Sequence, residues 1–310
     1  LPKPVSPLGR FPPMPGTAAL RPTNPRRSEE AQAYQQFSTP IPLGLAAATA
    51  ASITTGDCVL EPSAGTGLLA IFAEIAGGSL VLNEMAETRA DLLTHLFPSI
   101  PVSRFDAAQI PDHLGVEGGP AVVLMTPPFS AMAHVEGRVA DAAWRHVASA
   151  LARLAPGGRL VTITGANFAS DNPAWTAAFA RLQERGRVVF SAAIDGSVYA
   201  KHGTTFPTRL TVIDKLPADD PAAFPTAPGV APDAATLMAW VGAQVPARMP
   251  VALPAAPVIS SAATMPRTVR GYVGRSAMAA PPATLSEPDG VELTYETVDW
   301  RPAEGGHITD

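Results

Sequence analysis

The chain has 310 residues, 46% hydrophobic and only 16% charged, enough for one large domain or two small ones with a sizeable core. Its net charge of −5 excludes a bulk basic field for nucleic acid, though not a local basic groove. The single cysteine, Cys58, excludes an internal disulfide and a Cys-rich metal site. Cys58 sits in an apolar run and reads as an inert thiol rather than a nucleophile. No metal ligands are assigned. There is no signal peptide and no apolar run long enough to cross a membrane, so a cytoplasmic protein without a membrane partner is the default expectation. Beginning at Leu1 rather than Met, the chain reads as a piece of a longer protein.

The 34 prolines cluster at the two ends, so the ends are expected to be extended and the middle globular. Residues 1–28, with Lys3, Arg10, Arg21, Arg26 and Arg27, read as an extended basic arm: a plain flexible segment, or one that touches phosphates. Ser28 to Gln36 reads as a short helix with an N-cap serine and early Glu29 and Glu30. Phe37-Ser38-Thr39-Pro40 precedes an Ala-rich helix from Leu43 to Ala51, where Thr-Pro alone is an ordinary helix start.

Cys58 to Leu60 is the first expected strand. Glu61-Pro62-Ser63-Ala64-Gly65-Thr66-Gly67 breaks it into a small-residue loop, and Leu68 to Ala76 is a helix. In a doubly wound sheet such a loop lies at a strand's carboxyl end, where ligands bind, and its glycines let backbone approach them closely. Leu80 to Glu84 is a second strand, Ala86 to Leu96 a helix, and Val102 to Asp106 a short third strand. The spacing from Gly67 to Glu84 suits a carboxylate that accepts hydrogen bonds from both ribose hydroxyls of a nucleoside. Ala121 to Met125, apolar throughout, is a strand buried on both faces that ends in Thr126-Pro127-Pro128-Phe129.

Asp141 to Leu154 is an amphipathic helix and Arg159 to Thr164 a fifth strand. Pro173 to Arg185 is a helix whose Trp175, Phe179 and Leu182 form a core stripe. Arg187 to Ala192 and Thr208 to Ile213 are expected to pair as an antiparallel edge hairpin around the polar turn Tyr199 to Thr205. The strand–helix alternation predicts an α/β fold with a mostly parallel sheet. Residues 29–215 form this domain. Residues 216–310 read as Pro/Ala-rich linker with one short helix near 233–245, N-capped by Asp233, and a strand at 291–298. No internal repeat is present.

The Glu61–Gly67 loop, Glu84, Asp106 and Thr126–Phe129 all fall at strand ends that open on one edge of the sheet. Singly, each is an ordinary turn or strand-end acid; four in this order point to a nucleotide-type cofactor site. Together they resemble the S-adenosylmethionine-dependent amino-methyltransferases of DNA, of the adenine-N6 group whose cofactor motifs precede the catalytic one. The resemblance implies a Rossmann-like class I methyltransferase fold and S-adenosylmethionine as cofactor. It implies cofactor contacts from Phe37, Thr39, Pro40, Glu61, Pro62, Ala64, Gly65 and Gly67, with Glu84 on the ribose and Asp106 on the adenine amine. Thr126, Pro127, Pro128 and Phe129 then stand as the catalytic motif, and Tyr199, Lys201 and His202 as substrate contacts. Arg138, Arg145 and Lys201 are solvated charges or phosphate contacts.

An exocyclic amine is a poor nucleophile because its lone pair is delocalised. A side-chain oxygen and a backbone carbonyl that accept its two hydrogens make the nitrogen more tetrahedral; prolines stiffen the loop, and the aromatic stacks on the extruded base. Thr126 departs from the family's Asn or Asp, being shorter, β-branched and without a planar carbonyl.

The resemblance narrows over Gln36-Phe-Ser-Thr-Pro40, Leu60-Glu-Pro-Ser-Ala-Gly-Thr-Gly67, Asn83-Glu84, Pro127-Pro-Phe-Ser130, Leu154-Ala-Pro-Gly-Gly-Arg-Leu160 and Tyr199-Ala-Lys-His-Gly-Thr204. These look like the amino-terminal methyltransferase-like module of bacterial strawberry-notch-type helicase proteins. The tail Tyr295-Glu-Thr-Val-Asp-Trp300 resembles the lead-in to the helicase part. The implied partners are nucleic acid, DNA first, and a covalently linked helicase region. Two function classes follow: an adenine-N6 methyltransferase, or a degenerate fold that serves the helicase as a binding or scaffolding module. Methylation of RNA or of a protein amide is a third reading.

Overall fold

The structure is a computed structural model that describes residues 38–109, 118–127 and 140–251, apart from the side chains of Ala140 and Asp141. The expected arm at 1–28, the helix at 28–36, Phe37, Pro128, Phe129, Arg138 and the strand at 291–298 lie outside the described residues. All described residues fall in one compact unit, Leu1–Val258.

Among the described residues the helices are α1 (Ile41–Ala51), α2 (Leu68–Ile75), α3 (Glu87–Leu96), α4 (Ala140–Arg153), α5 (Thr176–Gln183) and α6 (Ala234–Gln244). The strands are β1 (Cys58–Glu61), β2 (Ser79–Asn83), β3 (Val102–Ser103), β4 (Val122–Met125), β5 (Arg159–Gly165), β6 (Arg187–Ile194), β7 (Thr208–Asp214) and β8 (Val230–Ala231). They form one sheet in the order β3-β2-β1-β4-β5-β7-β6-β8. Strands β1 to β5 run parallel, β7 is antiparallel to both β5 and β6, and β8 runs parallel to β6. The α/β class and the mostly parallel sheet with an antiparallel segment are as the sequence predicts.

The four residues of β4 are fully buried because helices cover both faces of the sheet. On one face Leu43 and Ala47 of α1, Leu69 of α2, and Leu237 and Val241 of α6 pack on Val122, Leu124, Val161 and Val212. On the other, Val147 and Leu151 of α4 with Phe179 and Leu182 of α5 pack on Val123, Met125 and Leu160. The expected stripe on α5 is core. Phe168 and Phe179 stand 4.9 Å apart, with Trp175 stacked on Trp144.

Three details differ from the sequence reading. Strand β3 ends at Ser103, short of Asp106. The Asn83 side chain takes over the Phe105 backbone, accepting from its N–H at 2.9 Å and donating to its carbonyl at 2.9 Å, so the chain leaves the ladder there. The β6–β7 pair is not a simple edge hairpin, because β7 inserts between β5 and β6 and β8 covers the outer side of β6. The stretch from 216 is also more than linker. It supplies β8, then α6, whose Asp233 cap accepts from Thr236 N–H at 2.7 Å. Burying Leu237 completely contributes about 1.5–3 kcal/mol.

The amino-terminal edge of the sheet is pinned by ion pairs. Arg159 at the start of β5 is fully buried and lies in register with Asp214 at the end of β7. Its Nε and Nη2 donate to the two Asp214 oxygens at 2.6 and 2.9 Å, and Nη1 donates to the Ala50 and Pro246 carbonyls. Beside it Arg248 pairs with Asp57. The chain beyond α6 is thereby fastened to α1 and the sheet.

Candidate functional site

The opposite, carboxyl-terminal edge holds a polar cleft lined by Thr39, Glu61, the loop from Ser63 to Thr66, Arg89 and Thr126, about 340 Å³ counting space open to solvent. The loop after β1 is shaped by two left-handed glycines, Gly65 at φ 57° and Gly67 at φ 77°. At Gly67 a Cβ would also stand 2.9 Å from both Leu93 and Phe97. Conformation and close packing therefore both require glycine there.

The end of β2 braces this loop. Asn83 is 1% exposed, and its amide donates to the Pro62 and Phe105 carbonyls while its carbonyl accepts from Ser103 Oγ and Phe105 N–H. Glu84 follows it. Its Oε2 accepts from Gly65 N–H at 2.8 Å and its Oε1 from Ala86 N–H at 2.9 Å. Asn83 is the residue whose role sequence reasoning missed. Its signals were a polar side chain at the end of an apolar strand and its place in the Asn83-Glu84 motif. Met85 and Phe105, both exposed beside Glu84 and Asp106, offer apolar surface at the same edge.

Glu61 is 3% exposed at the end of β1, and its Oε2 has no hydrogen-bond partner among the described residues. Burial holds its carboxyl well above the usual range; the Ala70 backbone amide opposes this, and the Glu84 charge adds to it. A buried, under-satisfied acid at a cleft floor is costly unless a ligand completes it.

Thr39 precedes α1 but does not cap it; Pro40 occupies that position with no side-chain cap. The Thr39 hydroxyl instead stands 3.3 Å from that of Thr126, which follows β4. The ordinary helix-start reading of Thr39 therefore fails, because its oxygen is turned into the cleft. Pro40, Pro62, Ala64 and Pro127 are buried around the same loop ends.

Asp106 is exposed, and its Oδ1 accepts from Ala108 N–H at 2.9 Å, starting the short turn at Ala107–Gln109. It is not among the residues lining the cleft. Its charge does reach α4, where it opposes the burial that lowers the His146 pKa. Tyr199, read as a substrate contact, is fully buried in the core beneath the cleft, where it adjoins the Thr39 side chain. Its ring is thus covered by packing and does not face a substrate. Burial raises its phenol pKa. Lys201 and Arg145 are exposed, and His202 stands with its ring 6.5 Å from that of Tyr199. Cys58 is half-buried at the start of β1, and burial raises its thiol pKa, which keeps it a poor nucleophile. Among the described residues no cluster of His, Cys, Asp or Glu could hold a metal ion, and no helix is long and apolar enough to cross a membrane.

The mostly parallel sheet with its antiparallel β5-β7-β6 segment matches the Rossmann-like methyltransferase fold. A Listeria monocytogenes protein given as a class I S-adenosylmethionine-dependent methyltransferase superposes with a TM-score of 0.53 at 13% identity, over 74% of this chain and 77% of that one. Weaker matches include a type I restriction-enzyme modification subunit from Vibrio vulnificus (TM-score 0.47, 16% identity, 58% of this chain, 44% of that one) and the M protein of EcoKI (0.48, 14%, 60% and 45%). The chain spans under half the length of those two subunits. No protein-family model and no curated protein matches the sequence. The likeness to the Listeria protein establishes the fold.

Proposed function

We propose that this chain is an S-adenosylmethionine-dependent methyltransferase acting on an exocyclic amine, adenine N6 in DNA. The observation that carries the reading is Glu61, a buried carboxylate with an unfilled oxygen on the wall of a cleft shared with Thr39 and Thr126. That arrangement fits the α-ammonium of the cofactor's methionyl part, whose positive charge would favour the ionised form of Glu61 against the burial that raises its pKa. Glu61, Thr39 and the 63–66 loop would hold the methionyl part. Glu84, each of whose oxygens retains a lone pair beside its backbone bond, would take the ribose, and Asp106 the adenine. The cofactor supplies a methyl group on a sulfonium.

The chain's own residues then bind and orient. The Thr126 hydroxyl accepts one hydrogen of the target amine, and its position is set by Thr39, whose side chain adjoins the buried Tyr199 phenol. Pro127 and Pro128 would stiffen the segment and supply the backbone carbonyl, and Phe129 the stacking face. Lys201, His202 and Arg145 would meet the nucleic acid outside.

A second reading has its own support. The Thr126 oxygen already faces a neighbouring hydroxyl and lacks the planar carbonyl that an asparagine would present. A fold so altered would serve as a nucleic-acid-binding or scaffolding module linked to a helicase, as the strawberry-notch resemblance implies. Calorimetric titration with cofactor, followed by transfer of a labelled methyl group to DNA, RNA and protein pools, separates the two. The enzyme reading expects binding, transfer to DNA, and higher turnover in Thr126→Asn. Absence of cofactor binding at millimolar concentration would sink it, and unchanged turnover in Thr126→Asn would count against the role of Thr126. Binding without transfer to any pool would favour the module.

A further inference from the structure

A second polar cleft opens at the same edge of the sheet but on the β5-β7-β6 side, bounded by Ser170, Asp171, Ser191, Arg209, Phe224 and Thr226, about 580 Å³ counting space open to solvent. Arg209 lies in its floor. It is in register with Thr164 of β5 and Ala193 of β6 and is 9% exposed. Two of its nitrogens are committed: Nε donates to the Ala166 carbonyl at 3.1 Å, and Nη1 to Ser191 Oγ at 3.0 Å. Ser191 is itself 3.3 Å from Thr211 Oγ1. These contacts fix the plane of the guanidinium. Nη2 makes no hydrogen bond among the described residues.

Across the cleft, Asp171 is exposed on the rim. Its charge opposes the lowering of the Arg209 pKa by burial, so the two groups feel each other. No ion pair within 4.0 Å joins them, however, and Asp171 makes no hydrogen bond among the described residues. A cation and a carboxylate thus face one cleft with a gap between them. A simple anion entering would meet Asp171, and a simple cation would meet Arg209. A neutral group with acceptors on one side and donors on the other satisfies both.

We propose that this cleft binds an unpaired guanine base. Guanine presents N7 and O6 as acceptors for Nη2 and the second N–H of Nη1, and its N1–H and 2-amino group as donors for a carboxylate. Adenine places a donor where guanine has O6, against the guanidinium. Uracil presents a single donor, N3–H, between the acceptors O4 and O2, so it cannot offer a carboxylate two donors. Phe224 supplies an aromatic wall for the ring, held edge-on to Phe179 at 6.3 Å. Arg209 stands on the second strand beyond β4, about 10 Å along the sheet at ~4.8 Å per strand. The proposal stands whether or not the first cleft transfers methyl groups.

The test is an NMR titration of the full chain with guanosine, adenosine and uridine monophosphates, then with an oligo-dT strand with and without one dG. Guanosine monophosphate is expected to shift the amides of 170–171, 191 and 224–227, with adenosine monophosphate at least tenfold weaker. A stronger response to the dG-containing strand than to the free nucleotide identifies nucleic acid as the source; the reverse identifies a free nucleotide. Asp171→Asn, on the exposed rim, leaves the fold intact. It should weaken guanosine monophosphate at least tenfold and make xanthosine monophosphate the better ligand, because an amide donates to the carbonyl that replaces the 2-amino group. No shifts at these residues with millimolar guanosine monophosphate, equal binding of adenosine monophosphate, or an unchanged affinity in Asp171→Asn would each overturn the proposal. Cofactor-induced shifts at 61–67 report the other cleft separately.

Discussion

Arg159 and Glu61 are both ionisable side chains buried in the same sheet, one at the start of β5 and one at the end of β1. Arg159 meets a bidentate carboxylate and two carbonyls, so its charge is matched by geometry as well as sign. Glu61 has an oxygen with no partner among the described residues, and a second acid, Glu84, nearby. The difference separates a buried charge that holds the fold from a buried acid that the proposed function assigns to the cofactor. At the amino-terminal edge the Arg159 charge is paired within the chain, whereas at the carboxyl-terminal edge an oxygen of Glu61 has no partner among the described residues.

The largest effect should come from breaking the satisfied charge. Asp214→Asn leaves Arg159 buried and unpaired, and a loss of about 3–5 kcal/mol is expected, roughly 10 °C in Tm by thermal denaturation. A change under 1 °C would mean that the pair is not what fastens β5 to β7. Next comes the brace behind the glycine loop. Asn83→Ala strips partners from Pro62, Ser103 and Phe105, with an expected cost of about 2–3 kcal/mol and weaker cofactor binding by calorimetry. Unaltered binding would show that the loop keeps its shape without Asn83.

The smallest effect on stability, and of opposite sign, is expected at the unsatisfied charge. Because burial raises the Glu61 pKa in the folded state, folding favours the protonated acid. Stability from this group is fully present below the unfolded value near 4.5 and is lost as pH rises through the folded value. Glu61→Gln removes that penalty. It should raise Tm by about 2–4 °C near neutral pH, on the order of 1 kcal/mol, and flatten this part of the pH profile. The same variant should lose at least tenfold in cofactor affinity. A variant that is destabilised, yet binds cofactor normally, would place Glu61 with Arg159 as a structural charge.

How far the sequence reached depends on the kind of interaction. The strand–helix alternation and the all-apolar Val122–Met125 run were legible because burial on both faces leaves a direct mark on composition. The glycines at 65 and 67 were legible because positive φ selects one residue type. Strand β3 was overread because nothing local announces that Asn83 will capture the Phe105 backbone. Tyr199 was misplaced because a polar-looking turn gives no sign that one of its members points into the core. The capture of residues 230–248 by the main sheet was hidden for a similar reason. Pro/Ala composition reads as linker, and only the distant partners Arg159 and Asp57 reveal its docking.

The sequence by itself determined the α/β class, the glycine loop and the acids Glu61 and Glu84 at the ends of β1 and β2, since each follows from local periodicity or from a residue-specific backbone demand. The tertiary structure alone decided which of those groups meet. It turned Thr39 from a helix start toward Thr126, 87 positions away, and closed Glu84 onto Gly65. It also left an oxygen of Glu61 unpaired. Those outcomes depend on the register of non-adjacent strands, which no local pattern encodes.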